Sequence, residues 1–221
     1  MSAHPRDAEF IFLDLDGTLS DPSEGITEGV IHALKRFGIH EEDRKKLFPF
    51  IGPPLYASFM EHYGFSKDDA YRAVTFFQEY YSAQGWQENV PYSGIKELLQ
   101  LWSSEGRKLV LATSKPEIFA IRILERFGMT KDFLLIAGGD IEETRVHKDE
   151  VIGYAKEQLA LTDDIPAIMI GDTKYDVLGA AKHGIPTIGV TYGFGSRSML
   201  EDAGAAWIVE SVPALAELMR R

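Results

Sequence analysis

The sequence predicts an α/β protein: a parallel sheet covered by helices on both faces, with a purely helical segment inserted near its start. Three observations carry that prediction. Short, continuous apolar runs of strand length recur along the chain, most of them ending in Gly, Asp or Thr. Amphipathic stretches separate them. Between the first and second runs, residues 20–90 read as helices alone. Strands that are apolar without alternation are buried on both faces, and strands alternating with helices build parallel sheets.

The runs are Glu9 to Leu15, Lys108 to Thr113, Phe133 to Ala137, Ala167 to Ile170 and Thr187 to Val190, with Ala206 to Val209 as a shorter sixth. The helical insert has three apolar faces. Ile26, Val30, Ala33 and Phe37 form the first, Leu55, Phe59 and Tyr63 the second, and Tyr71, Val74, Phe77 and Tyr81 the third. Gly38 and Gly64 follow the first two, and Pro49, Pro53 and Pro54 mark breaks. An insert of this size exceeds a simple crossover of roughly a dozen residues, so it is read as a small cap over the sheet edge. After it, Ile95, Leu98, Leu99 and Trp102 form one helix face, Ile118, Ile121, Leu124 and Phe127 another with Gly128 as its stop, and Val151, Ile152, Ala155 and Leu159 a third. The expected division is a core of residues 1–19 and 91–221 and a cap of residues 20–90.

Composition narrows the function. Hydrophobic residues make up 45% and charged residues 26%, as in ordinary globular domains. Lys and Arg number 23 against 34 Asp and Glu, a net charge of −11, which argues against nucleic acid or an anionic membrane as general partners. The absence of cysteine removes disulfides, zinc fingers, iron–sulfur clusters and thiol catalysis. The opening residues Met1 to Asp7 hold no apolar segment of the signal-peptide kind, and no run of about 18 apolar residues follows. The expected location is cytoplasmic.

Four short motifs carry the chemistry. Asp14-Leu15-Asp16-Gly17-Thr18-Leu19 follows the first apolar run. Carboxylates at i and i+2 of a strand end point the same way, and two such charges repel unless a cation or proton relieves them. With no His or Cys beside them, a hard cation such as Mg²⁺ suits the oxygen donors. Gly171-Asp172-Thr173-Lys174-Tyr175-Asp176 places acids after another strand, at the edge where open parallel sheets bind ligands. Asp172 alone reads as a helix cap and Asp176 alone as an exposed helix residue. Thr113 and Ser114 follow the second strand where a helix is expected to begin, a position that suits a phosphate or an ordinary N-cap. Lys148, in Arg145-Val146-His147-Lys148-Asp149, has the charge to offset a phosphate or a carboxylate, though an isolated lysine reads as a solvated surface charge.

In this order the motifs resemble the haloacid dehalogenase (HAD) superfamily of phosphohydrolases. Asp14 to Leu19 matches its D-x-D-G-T-[LV] motif, Thr113 its hydroxyl motif, Lys148 its lysine, and Gly171, Asp172 and Asp176 its G-D-x-x-x-D motif. The insert resembles the C1 cap of subfamily I. Ile51-Gly52-Pro53-Pro54-Leu55, Ser114-Lys115-Pro116 and Thr144-Arg145-Val146-His147-Lys148 resemble the phosphoglycolate phosphatase and 5′-nucleotidase branch. Ser20-Asp21-Pro22 departs from the Ser or Asp-Ser common in relatives.

The resemblance implies a Rossmann-like core and a Mg²⁺-dependent phosphatase for a small phosphorylated metabolite. Asp14 is then the nucleophile that becomes an aspartyl-phosphate, and Asp16 the general acid and base. Mg²⁺ lies on Asp14, the backbone carbonyl of Asp16, and Asp172. Thr113, Ser114, Gly17, Thr18 and Lys148 join Asp14 in holding the phosphoryl group, and Asp176 orients Lys148 or metal-bound water. The alternative is a phosphosugar mutase of the β-phosphoglucomutase type, told apart by steady phosphate release. A dehalogenase has no leaving oxygen for Asp16 to protonate. A phospho-receiver is shorter and lacks the insert. Monomer and homodimer are both compatible with the sequence, and cap residues Lys45, Lys46 and Arg72 have the charge to meet a substrate carboxylate or a second phosphate but read first as solvated charges.

Overall fold

The computed structural model describes residues 4–140, 145–162 and 164–221. The chain forms two compact units, one of Met1–Ser20 with Pro91–Arg221 and one of Asp21–Val90.

The larger unit opens with β1 (Phe10–Leu13), whose four residues are all buried. The chain then passes through the smaller unit, which contains α1 (Ser23–Lys35), α2 (Leu55–Tyr63) and α3 (Lys67–Ala83). It returns with α4 (Ile95–Ser104), β2 (Lys108–Pro116), α5 (Glu117–Phe127), β3 (Phe133–Gly139), α6 (Lys148–Gln158), β4 (Ala167–Gly171), α7 (Lys174–Ala181), β5 (Thr187–Val190), α8 (Arg197–Ala203), β6 (Trp207–Val209) and α9 (Val212–Leu218).

These six strands make one sheet in the order β3-β2-β1-β4-β5-β6, all parallel, and the short strands Ser20–Asp21 and Val90–Pro91 pair separately. This is the doubly wound order of a Rossmann-like fold. β1 lies at its centre, pairing Phe10 with Lys108 on one side and with Ala167 on the other. Continuous apolar runs therefore mark the inner strands, whose two faces are both covered, while the edge strand β3 leaves Leu134 54% exposed. Phe12, Val110, Ala112 and Met169 from three neighbouring strands pack with Val151, Ile152 and Ala155 of α6 in one core cluster.

Two helix faces differ from the sequence reading. α5 buries Phe119, Ala120, Ile123 and Leu124, whereas Ile118 is 42% exposed. The stretch Ile118 to Leu124 is apolar nearly all round, so periodicity alone does not set its register. α3 buries Ala70, Ala73, Phe77 and Tyr81, while Tyr71 is 60% exposed. Here α1 and α3 pack closely: a Cβ on Gly29 would lie 2.7 Å from the Phe77 ring. Close helix contact selects small residues, which hydrophobicity counts undervalue. Gly64 and Gly128 end α2 and α5 in the left-handed conformation, as expected of C-terminal glycines. Arg72, in the smaller unit, is exposed and paired with Asp69 at 3.1 Å. Among the described residues, no helix is long and apolar enough to cross a membrane.

Candidate active site

From β1 the chain builds outward through β2 to β3 on one side and then crosses back to β4 on the other, so the carboxyl ends of β1, β2 and β4 flank the point where strand order reverses. Open sheets bind ligands there. Asp14 and Asp16 follow β1, Thr113 lies in β2, and Asp172 follows β4; all four are buried. The sequence reading put the hydroxyls at a helix start. In the structure β2 continues to Pro116, with a register shift between Ala112 and Pro116, and α5 starts only at Glu117. Thr113 Oγ1 accepts a hydrogen bond from the Lys115 N–H at 3.3 Å across that irregularity.

Lys148 is the first residue of α6 and is buried, not solvated. Its ammonium lies 2.8 Å from Asp14 Oδ1 and 2.8 Å from Asp176 Oδ1, and donates to the Ala112 carbonyl at 2.9 Å. Burial alone would lower its pKa, but the Asp14 and Asp176 charges outweigh burial and raise it, so it stays cationic. Asp176 is fully buried in the first turn of α7, and its Oδ2 accepts from the Thr173 N–H and hydroxyl at 3.0 and 2.9 Å.

The carboxylate cluster holds Asp176 beside the expected ligands Asp14 and Asp172. Asp14, Asp172 and Asp176 bring one carboxylate oxygen each within 4.8 Å of one another. The Asp16 side chain instead meets Lys115 Nζ at 2.6 Å. The i and i+2 acids thus face two different lysines. Gly17 and Thr18 form the turn after Asp16, their N–H groups donating to Ser20 O at 2.8 Å and Leu15 O at 3.3 Å.

Three buried carboxylates against one ammonium leave two negative charges when all are ionised. Burial, then Asp176 and Asp14, push the Asp172 carboxyl well above its usual range. Burial also raises Asp176, against the pull of Lys148. Asp172 Oδ1 accepts no hydrogen bond from any described residue. An oxygen-only donor set with an excess of two negative charges and an unpartnered buried oxygen fits a hard divalent cation such as Mg²⁺.

Two contributors escaped the sequence reading. Lys115 was only part of a matched motif, and its signal is its place two residues after Thr113. The other is the turn Tyr192–Gly195, where the Phe194 N–H donates to Asp172 Oδ2 at 2.8 Å; its signal is a glycine-rich turn after an apolar strand. Arg145 is half-buried, with Nε donating to the Gly138 carbonyl at 2.8 Å and its guanidinium 3.8 Å from the Tyr154 ring centroid. The His147 N–H donates to Glu150 at 2.9 Å. Thr144 lies outside the described residues.

Removing Lys148 while keeping its carboxylates isolates the electrostatic balance. Lys148→Met is expected to lower metal-free stability by about 3–5 kcal/mol, because both acids lose a buried counter-charge. Urea unfolding of chelator-treated protein measures it, and an unchanged midpoint would mean that Lys148 is not the cluster's counter-charge.

Known proteins resemble this chain in sequence and fold. A family model described as haloacid dehalogenase-like hydrolase matches residues 11–190. A 5′-nucleotidase of Pseudomonas aeruginosa is 44% identical over 190 residues, covering 86% of each chain. The tyrosine-protein kinase PtkA of Mycobacterium tuberculosis is 35% identical over 193 residues, which are 87% of this chain and 65% of that one. The crystal structure of a predicted phosphatase from Clostridium acetobutylicum superposes with a TM-score of 0.91 at 46% identity, covering 95% of this chain and 97% of that one.

Proposed function

The chain belongs to the haloacid dehalogenase-like hydrolase family, and from that premise we propose that this phosphatase is a Mg²⁺-dependent phosphomonoesterase acting on nucleoside 5′-monophosphates through an aspartyl-phosphate at Asp14. The observation that carries the mechanism is the buried Asp14 at the end of β1, 2.8 Å from Lys148 and clustered with Asp172 and Asp176. The substrate class rests on the 44% identity with the 5′-nucleotidase.

In the first step an Asp14 carboxylate oxygen bonds to phosphorus as the ester P–O bond breaks, and Asp16 gives its proton to the leaving oxygen. In the second, Asp16 takes a proton from water as the water oxygen bonds to phosphorus, and the Asp14–phosphorus bond breaks to release phosphate. Lys115, paired with Asp16, holds that carboxylate in place between the two transfers. Lys148 fixes the nucleophile's orientation and offsets its charge, while Asp176 pairs with the same ammonium and holds it there. Thr113 and Ser114 hold phosphoryl oxygens, and Gly17 and Thr18 shape the turn beneath them. Asp14, Asp172 and the Asp16 carbonyl are the residues that would hold Mg²⁺. When bound, the cation offsets the charge of the transferring phosphoryl group. The helical unit Asp21–Val90 serves as the substrate-selecting cap.

The test is phosphate release across nucleoside 5′-monophosphates, phosphoglycolate, pyrophosphate and sugar phosphates. The expected result is the highest kcat/KM with the nucleotides. A higher value for phosphoglycolate or a sugar phosphate overturns the substrate class. Transfer without steady release would instead favour a mutase.

A further inference from the structure

We propose that the turn Tyr192–Gly195 after β5 is a positioning element of the cation site, holding Asp172 so that one carboxylate oxygen is consumed by the backbone and the other is left for the ion. This inference rests on the Mg²⁺ reading above.

Asp172 is fully buried, and its two oxygens are treated differently. Oδ2 accepts the Phe194 N–H at 2.8 Å, whereas Oδ1 accepts from no described residue. Glycines pack around this carboxylate from two strand ends. A Cβ on Gly17 would lie 2.0 Å from Asp172 Oδ2, and one on Gly193 would lie 2.5 Å from the same atom and 2.2 Å from the Gly17 carbonyl. A Cβ on Gly195 would lie 1.8 Å from the Asp172 carbonyl. Real Cβ atoms do not approach so closely, so only glycine lets the three backbones meet.

The same turn reaches the nucleophile loop. The Tyr192 hydroxyl donates to the Thr18 carbonyl at 3.0 Å, and its ring stands edge-on to Tyr92, with centroids 4.9 Å apart. The Tyr92 N–H in turn donates to the Leu19 carbonyl at 3.0 Å. One turn therefore touches both segments that carry the proposed ligands, Asp14 to Leu19 from β1 and Asp172 from β4. The spacing between the two acids is set by backbone packing instead of by flexible side chains. Groups that orient metal ligands typically change metal affinity about 10- to 100-fold when removed.

Calorimetric titration of chelator-treated protein with Mg²⁺ tests this, comparing wild type with Tyr192→Phe and Gly193→Ala. Tyr192→Phe removes one hydrogen bond and is expected to weaken Mg²⁺ binding about 3- to 10-fold, measured at a temperature well below the variant's own metal-free melting transition. Gly193→Ala is expected to weaken it about 10- to 100-fold; if that variant does not fold, Tyr192→Phe decides alone. Activity lost in Tyr192→Phe is expected to return at saturating Mg²⁺, a rescue that a purely structural defect would not show. Wild-type affinity in Tyr192→Phe overturns the role of the turn and leaves the metal reading standing. A wild-type protein that takes up no Mg²⁺ overturns both.

Discussion

Asp14→Asn is expected to reduce phosphate release by at least about 10⁴-fold, because the amide cannot form the phosphoryl bond that begins the reaction. The substitution keeps the shape of the side chain and leaves Lys148 paired with Asp176, so the fold should survive, which circular dichroism checks. Asp16→Asn is expected to cost about 10²- to 10⁴-fold, the usual range for a lost general acid and base. The two variants separate at the intermediate. Acid-quenched wild-type protein should carry a phosphoryl group by intact mass, and Asp14→Asn should carry none. Wild-type turnover in Asp14→Asn would remove the nucleophile from this aspartate.

Chelation is the second large effect. Stripping the divalent cation should stop phosphate release, and added Mg²⁺ should restore it; full activity in chelator would end the metal assignment. Stability should respond with a defined sign. Burial beside Asp176 and Asp14 raises the Asp172 pKa. A carboxyl raised in the folded state contributes stability below its unfolded value, and that contribution is lost as pH rises through the folded value. Metal-free protein should therefore lose melting temperature as pH climbs above the usual carboxylate range. Mg²⁺ binds the ionised form, so its stabilisation should grow over the same interval, reaching about 2.7 kcal/mol at a hundred times its Kd. Melting curves with and without Mg²⁺ from acidic to neutral pH measure this. A Mg²⁺ effect that is equal at both ends would contradict the assigned role of Asp172.

Much of the sheet was legible because its signal is local. Phe10 to Leu13 and Ala167 to Ile170 are apolar without alternation and are followed within two residues by Asp14 and Asp172, which marks buried parallel strands with polar carboxyl ends. Helix registers were less legible. In α5 both possible faces are apolar, and in α3 the inward face carries Ala70 and Ala73, chosen by close packing against α1 over the larger Tyr71 and Val74. The sites divide in the same way. Asp14 and Asp172 announce themselves by following strands. Lys148 was legible only through its motif and its burial was not, and Lys115 was not read as a site residue, because a lysine's sequence neighbours say little about burial.

By itself, then, the sequence determined the α/β class, the strand runs and the acids at their carboxyl ends, since burial on both faces and the turn residues are written in neighbouring positions. Only the tertiary structure decided that Lys148 is a buried cation between Asp14 and Asp176, that Asp16 faces Lys115, and that Phe194 takes one oxygen of Asp172. The physical reason is that these pairings join residues far apart in the chain. Charge balance in a buried cluster depends on which strand ends the parallel order brings together, and no local pattern encodes that.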